Sequence, residues 1–297
     1  MKENVLIICG ATATGKSELG IFAAQKYNGE VVSADSMQIY KKMNIGTAKI
    51  TPAEMQGISH HMIDIVEPNL NYSVAEYKES AEKIITDINN RQKNAIIVGG
   101  TGLYINSLIY DYSFGDKHNP EIRQKYKDLL ANKGKEYIYS ILSAKNPAIA
   151  SKLHINDTVR VIRALELEET GTSLDDNIQT PTRNYCAIAI QEDREILYDK
   201  INRRVDKMFS HGLVDEVEQL LQSGLSFENQ SMKAIGYKEF KEYFDGTCSL
   251  DDVKEKIKQN SRNYAKRQFT WFRKFPNIIW CKNHSEAKLK IEEYYEN

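Results

Sequence analysis

Short apolar runs alternate with longer stretches of mixed polarity along most of this chain. Val5-Leu6-Ile7-Ile8-Cys9 is continuously apolar, is closed by a glycine, and predicts a buried strand. Residues 30–34, 94–98, 185–190 and 277–281 predict further strands. Helical stretches fill the intervals, among them one opening at Glu18 and another over 194–223 that bears Arg203 and Arg204. Strands alternating with helices predict an α/β fold, a parallel sheet flanked by helices and joined by right-handed crossovers. In such sheets ligands bind beyond the carboxyl ends of the strands.

The interval between the third and fourth of these strands is far longer than an ordinary crossover, which predicts an inserted subdomain. Segments 1–111 and 183–297 are expected to form the core, and 112–182 a mainly helical insertion. Within it, 120–134 and 135–144 read as helices. So does 157–169, with Asp157 as its N-cap, Val161 and Leu165 four apart, and Gly171 just past its end. Arg160 and Arg163 share a face of that helix.

Three of the strand ends bear polar or glycine-rich sequence. Gly10-Ala11-Thr12-Ala13-Thr14-Gly15-Lys16-Ser17 fits the phosphate-binding loop G-x-x-x-x-G-K-[ST] in full, between a strand and a helix, which makes the expected sheet P-loop NTPase-like. Backbone N–H groups of Ala13 to Ser17 then point at phosphate oxygens, Lys16 adds a point charge, and Ser17 offers a hydroxyl to Mg²⁺. The second strand runs into Asp35, whose carboxylate can ligate Mg²⁺, act as a general base, or cap the next element. A nucleoside triphosphatase places an Asp at the end of a later strand, but here Ile96-Ile97-Val98 runs into Gly99-Gly100-Thr101-Gly102. That weakens a reading as ATP hydrolysis. Thr101 either caps the following helix or presents its hydroxyl to a ligand, and the two are compatible.

Composition narrows the class. A chain of 297 residues, 41% hydrophobic, can bury a proper core as one large domain or two smaller ones. The N-terminal apolar run is too short for a signal peptide or a membrane span, so a cytoplasmic protein without membrane contact is expected. Cys9, Cys186, Cys248 and Cys281 are widely spaced, which points to apolar fillers rather than zinc ligands or disulfides. His60 and His61 read as structural. A formal charge of −1 does not advertise nucleic-acid binding. Its distribution does more: Lys254 to Lys274 hold eight Lys or Arg against one acid, with Lys258, Arg262 and Lys266 on one helix face and Phe269, Trp271 and Phe272 nearby. Such a run is either a solvated face or an RNA-binding one.

Taken in order, the segments stop being separate. Gly10 to Ser17, Asp35-Ser36-Met37-Gln38-Ile39-Tyr40, Met43-Asn44-Ile45-Gly46-Thr47-Ala48-Lys49, His60-His61-Met62-Ile63-Asp64 and Val98-Gly99-Gly100-Thr101-Gly102-Leu103-Tyr104 resemble hallmark segments of the tRNA dimethylallyltransferase family. The likeness continues through His154-Ile155-Asn156-Asp157, Arg160 to Glu166, Ala234-Ile235-Gly236-Tyr237-Lys238 and Ala265-Lys266-Arg267-Gln268-Phe269-Thr270-Trp271, and so covers nearly the whole chain. Ala11 stands where that family often has proline, and Ser17 where it often has threonine; both keep the chemistry of the loop. The sequence shows no C-terminal zinc finger of the kind the eukaryotic branch often adds, so the resemblance is to the bacterial type.

The resemblance implies transfer of a dimethylallyl group from dimethylallyl diphosphate to N6 of adenosine 37 in tRNA, by a Mg²⁺-dependent, monomeric enzyme acting on the anticodon stem-loop. It implies that Asp35 is the general base and that Thr101 contacts the bridging oxygen. Gly10 to Ser17 and Arg204 would hold the diphosphate. Asp35, Ser36, Met37, Gln38 and Thr101 would meet the target nucleotide. Arg123, Val159, Arg160, Val161, Ile162, Arg163, Lys233, Gly236, Tyr237, Lys238, Lys266, Arg267 and Gln268 would meet the rest of the tRNA. The rivals are a P-loop nucleotide or metabolite kinase, a prenyltransferase acting on free AMP or ATP, and a noncatalytic RNA-binding protein.

Overall fold

The computed structural model describes residues 4–110, 119–171 and 181–296. The chain divides into two compact units, Met1–Asp111 with Pro181–Asn297, and Tyr112–Thr180. The larger unit is built on six parallel strands: β1 (Asn4–Cys9), β2 (Gly29–Ala34), β3 (His60–His61), β4 (Asn94–Gly99), β5 (Asn184–Ile190) and β6 (Ile278–Cys281), in the spatial order β3-β2-β4-β1-β5-β6. Its helices are α1 (Lys16–Lys26), α2 (Val74–Asn90) and α3 (Gly102–Ile109), then α7 (Arg194–Ser210), α8 (Leu213–Gln222), α9 (Lys241–Phe244), α10 (Leu250–Phe272) and α11 (His284–Glu296). The smaller unit holds α4 (Pro120–Lys145), α5 (Pro147–Ala150) and α6 (Thr158–Thr170).

The apolar runs are continuous because the central strands are buried on both faces. On β1, Val5, Ile7 and Cys9 enter the core formed with α2 and α3, while Leu6 and Ile8 enter the one formed with α1 and α11. Strand β4 divides in the same way, Ala95 and Ile97 against Ile96 and Val98. Register then fixes the chemistry: Cys9 pairs with Gly99, and Gly99 with Ala34, so three neighbouring strands end level with one another.

All five expected strands are present, within a residue at either end. Strand β3 has two residues, too few to show an alternation, and was invisible in the pattern. The helical stretch over 194–223 is broken where Gly212 takes φ 91°, ending α7 and starting α8 on a new axis. In the smaller unit, Asn119 caps α4 through the N–H groups of Glu121 and Ile122, and Gly134 kinks it with φ 81° and ψ 174°. That kink is the boundary expected between 134 and 135. Asp157 caps α6 at the Arg160 N–H, and Gly171 closes it with φ 70°.

Candidate active site

Level strand ends bring the phosphate loop, Asp35 and the Gly99-Gly100 turn to one cleft of about 700 Å³ in the larger unit. The phosphate loop wraps because Gly10, Ala13 and Gly15 adopt φ of 124°, 64° and 77°. Thr14 closes the wrap by donating its hydroxyl to the Ala11 carbonyl at 2.9 Å. A Cβ on Gly15 would lie 2.3 Å from the ring of His284, whose Nε2 sits 2.9 Å from the Thr14 carbonyl. The C-terminal helix thus holds the loop from outside. Helix α1 begins at Lys16, so the positive end of its dipole faces the cleft.

Two cations share the floor. Lys16 donates to the Ala11 carbonyl at 2.5 Å, and Arg204, reaching in from α7, donates to the Thr12 hydroxyl at 2.9 Å and to the Thr47 carbonyl at 3.4 Å. Enclosure of its ammonium, and then the Arg204 charge, pull the Lys16 pKa down to about 8, against the opposing pull of Asp35. Burial likewise lowers Arg204, opposed by Asp35 and Glu54. Two crowded, poorly solvated cations form a site whose electrostatics improve when an anion enters.

The facing wall is held by neutral donors. Asp35 Oδ1 accepts from the N–H of Met37 at 2.9 Å and of Gln38 at 3.3 Å. Thr101 is the N-cap residue of α3 by position but makes no side-chain capping bond; its oxygen accepts from the Ser36 N–H at 3.0 Å. Of the two roles open to Thr101, the side-chain cap is thereby excluded; its hydroxyl instead turns to Ser36, a cleft residue, donating to the Ser36 hydroxyl at 3.4 Å. Ser17 lines the same cleft. A lone hydroxyl next to a phosphate loop suits Mg²⁺, which keeps several waters and takes its remaining oxygens from phosphate. Among the described residues no group of three His, Cys, Asp or Glu could hold a metal ion by itself.

The family model described as IPP transferase matches residues 38–275. The chain belongs to the IPP transferase family. A tRNA dimethylallyltransferase of Caldanaerobacter subterraneus subsp. tengcongensis is 49% identical to this family member, with 99% of this chain and 98% of the relative covered. Two solved structures are similar to it. The full-length tRNA isopentenylpyrophosphate transferase from Bacillus halodurans gives a TM-score of 0.75 at 39% identity, covering 99% of this chain and 96% of that one. A eukaryotic dimethylallyltransferase acting on tRNA gives 0.85 at 31%, covering 99% and 79%. A kinase reading of this IPP transferase is not favoured.

Other expected site residues divide by burial. Met37, Gln38, Lys233, Lys238 and Arg267 line the cleft. Tyr237 is fully buried and donates its hydroxyl to Glu216, and Gly236 packs on Gly46, so the expected contact of the Tyr237 side chain with tRNA is corrected to a packing role. Gln268 is also buried: it accepts from the Thr12 N–H at 2.8 Å and donates to the Gly100 carbonyl at 3.0 Å, tying the two glycine loops together. A Cβ on Gly100 would lie 2.1 Å from its amide nitrogen. In the smaller unit Val161 and Ile162 are buried in the helical core, which corrects them too, whereas Val159 and Arg160 are exposed. Arg123 and Arg163 flank the buried carboxylate of Glu166, at 3.7 and 3.0 Å. His61 pairs with Glu30 and His60 with the Ile58 carbonyl, the structural roles expected of them.

Sequence reasoning missed Tyr264, Glu54 and the apolar wall of Ile201, Val205, Met208 and Ile235, all lining the cleft. Burial and then the Asp35 charge push the Tyr264 phenol up to about 12. Its position one turn before Gln268 on α10 was the available signal.

Proposed function

We propose that this chain transfers a dimethylallyl group from dimethylallyl diphosphate to N6 of adenosine 37 in tRNA, beside the anticodon, releasing diphosphate. The observation that carries the reading is one cleft lined by the Lys16 and Arg204 cations and by the Asp35 carboxylate, with Thr101 hydrogen-bonded to the cleft residue Ser36, in a member of a family whose relatives bear that activity in their names.

The donor already contains its leaving group, so the work of the protein is to absorb charge on the departing oxygen and to relieve the nucleophile of a proton. The phosphate-loop amides, Lys16 and Arg204 hold the diphosphate. Thr101 donates its hydroxyl to the bridging oxygen. The wall of Ile201, Val205, Met208 and Ile235 shields the prenyl chain from water. Adenine N6 attacks the allylic carbon, the carbon–oxygen bond breaks with its electron pair going to diphosphate, and Asp35 takes the N6 proton. Ser17 would hold Mg²⁺ beside the diphosphate, and the ion would supply further charge neutralisation there. A base in a structured loop must be unstacked to reach such a cleft, and Ser36, Met37 and Gln38 stand where it would enter.

The reading includes a cytoplasmic monomer. Among the described residues no helix is long and apolar enough to cross a membrane, and a single chain supplies every residue invoked. The test is incubation of the protein and Mg²⁺ with labelled dimethylallyl diphosphate and, in turn, tRNA, tRNA with A37 changed to G, and free AMP. Label entering only the A37 tRNA supports the reading; label on AMP, or none anywhere, overturns it. Consumption of ATP with no label transferred would restore the kinase.

A further inference from the structure

The loop from Asn44 to Lys49 borders the cleft, and one carboxylate fixes it from behind. Glu216, on α8, is 9% exposed. Its Oε2 accepts from the backbone N–H groups of Asn44 and Ile45, both at 2.8 Å. Its Oε1 accepts from the Gly46 N–H at 3.0 Å and from the Tyr237 hydroxyl at 2.6 Å. Three consecutive amides converging on one point make a cradle of the kind that captures anions. Here the chain supplies the anion itself, and among the described residues no lysine or arginine pairs with it.

The other side of the same loop faces the reaction. The Thr47 carbonyl accepts from Arg204 at 3.4 Å and from Gln38 at 3.3 Å, and the Ala48 carbonyl accepts from Gln38 at 3.3 Å. The Tyr237 ring closes over Gly46, where a Cβ would lie 2.5 Å from it. Glu216 therefore stands one loop away from a diphosphate-binding cation and from the side chain beside the general base.

We propose that Glu216 is a positioning residue for the transfer reaction: by holding residues 44–46 it places the Thr47 and Ala48 carbonyls, and through them sets Arg204 against the diphosphate and Gln38 beside Asp35. This rests on the prenyl-transfer reading for its chemistry, but its mechanical content is a coupling between Glu216 and Arg204 that diphosphate binding alone can measure. Loss of a satisfied buried anchor moves the loop, whereas a carboxylate that merely stabilises the fold leaves the affinity of the folded protein unchanged.

The experiment is calorimetric titration of the full chain with inorganic diphosphate and Mg²⁺. Glu216→Gln is expected to weaken binding about tenfold and Tyr237→Phe about threefold, while in an Arg204→Leu background each adds less than about twofold. Undiminished affinity in folded Glu216→Gln, or a full tenfold loss that persists without Arg204, overturns the inference. Tyr237→Phe keeps the packed ring, so it answers the same question by the same cycle if Glu216→Gln does not fold. Variants that show this coupling, together with a wild type that transfers no label to tRNA, would sink the prenyl-transfer reading and leave the anchor standing.

Discussion

On one wall of the cleft, Lys16 and Arg204 are cations pressed into an enclosure that solvates them poorly; on the other, Asp35 and Thr101 are held by neutral backbone N–H groups. The first wall is electrostatically incomplete in the free protein, and under the proposed function a diphosphate would complete it. On the second, Asp35 Oδ1 and the Thr101 oxygen already accept from backbone N–H groups in the free protein. Binding energy should therefore come chiefly from the first wall, and the proton-transfer step from the second.

The largest effect expected from breaking the cation wall is that of Arg204→Leu. It removes a donor both to the bound diphosphate and to the charge that grows on it. Steady-state assays should show kcat/KM down about a thousandfold, with diphosphate affinity falling as well.

A pH series sharpens the same comparison. Lys16 titrates near pH 8 in the free protein, and a bound anion favours its charged form. Affinity for diphosphate should then fall as pH rises through about 8, with proton uptake on binding visible as a dependence of calorimetric heat on the buffer. Lys16→Arg stays charged and should flatten that dependence. For folding the sign is opposite. Between about 8 and the ordinary 10.5, the unfolded chain binds the proton that the folded one has lost, so stability of the ligand-free protein gains from this group as pH rises.

The smallest effect concerns the basic run on α10. Lys254 and Lys258 pair with Asp206, and Lys256 with Glu242, whereas Lys266, Arg267, Arg273 and Lys274 are exposed and form no ion pair among the described residues. Removing Lys266 or Arg267 should lower tRNA affinity several-fold and reduce its salt slope by about one each. Lys256→Ala should change neither measurably.

The sheet was legible because its strands are buried on both faces and read as unbroken apolar runs. The phosphate loop was legible because its spacing is rigid. Register did the rest, since Cys9, Gly99 and Ala34 end level and deliver three loops to one place. What the pattern hid was pairing. The spacing of Lys258, Arg262 and Lys266 says they share a helix face, but not that Asp206 on another helix neutralises the first and that Asn202 accepts from the second. Tyr237 and Gln268 likewise read as surface contacts within segments expected to meet RNA, because burial of a polar side chain depends on a distant partner: Glu216 for one, Thr12 and Gly100 for the other.

The division of labour between the walls is tested most directly by single-turnover label transfer with Asp35→Asn at saturating donor and A37 tRNA, run beside a diphosphate titration of the same protein. The account predicts transfer at least about a hundredfold slower than wild type, with diphosphate affinity within about twofold of it. A rate close to wild type, or a slow rate that tracks lost diphosphate affinity, would contradict it.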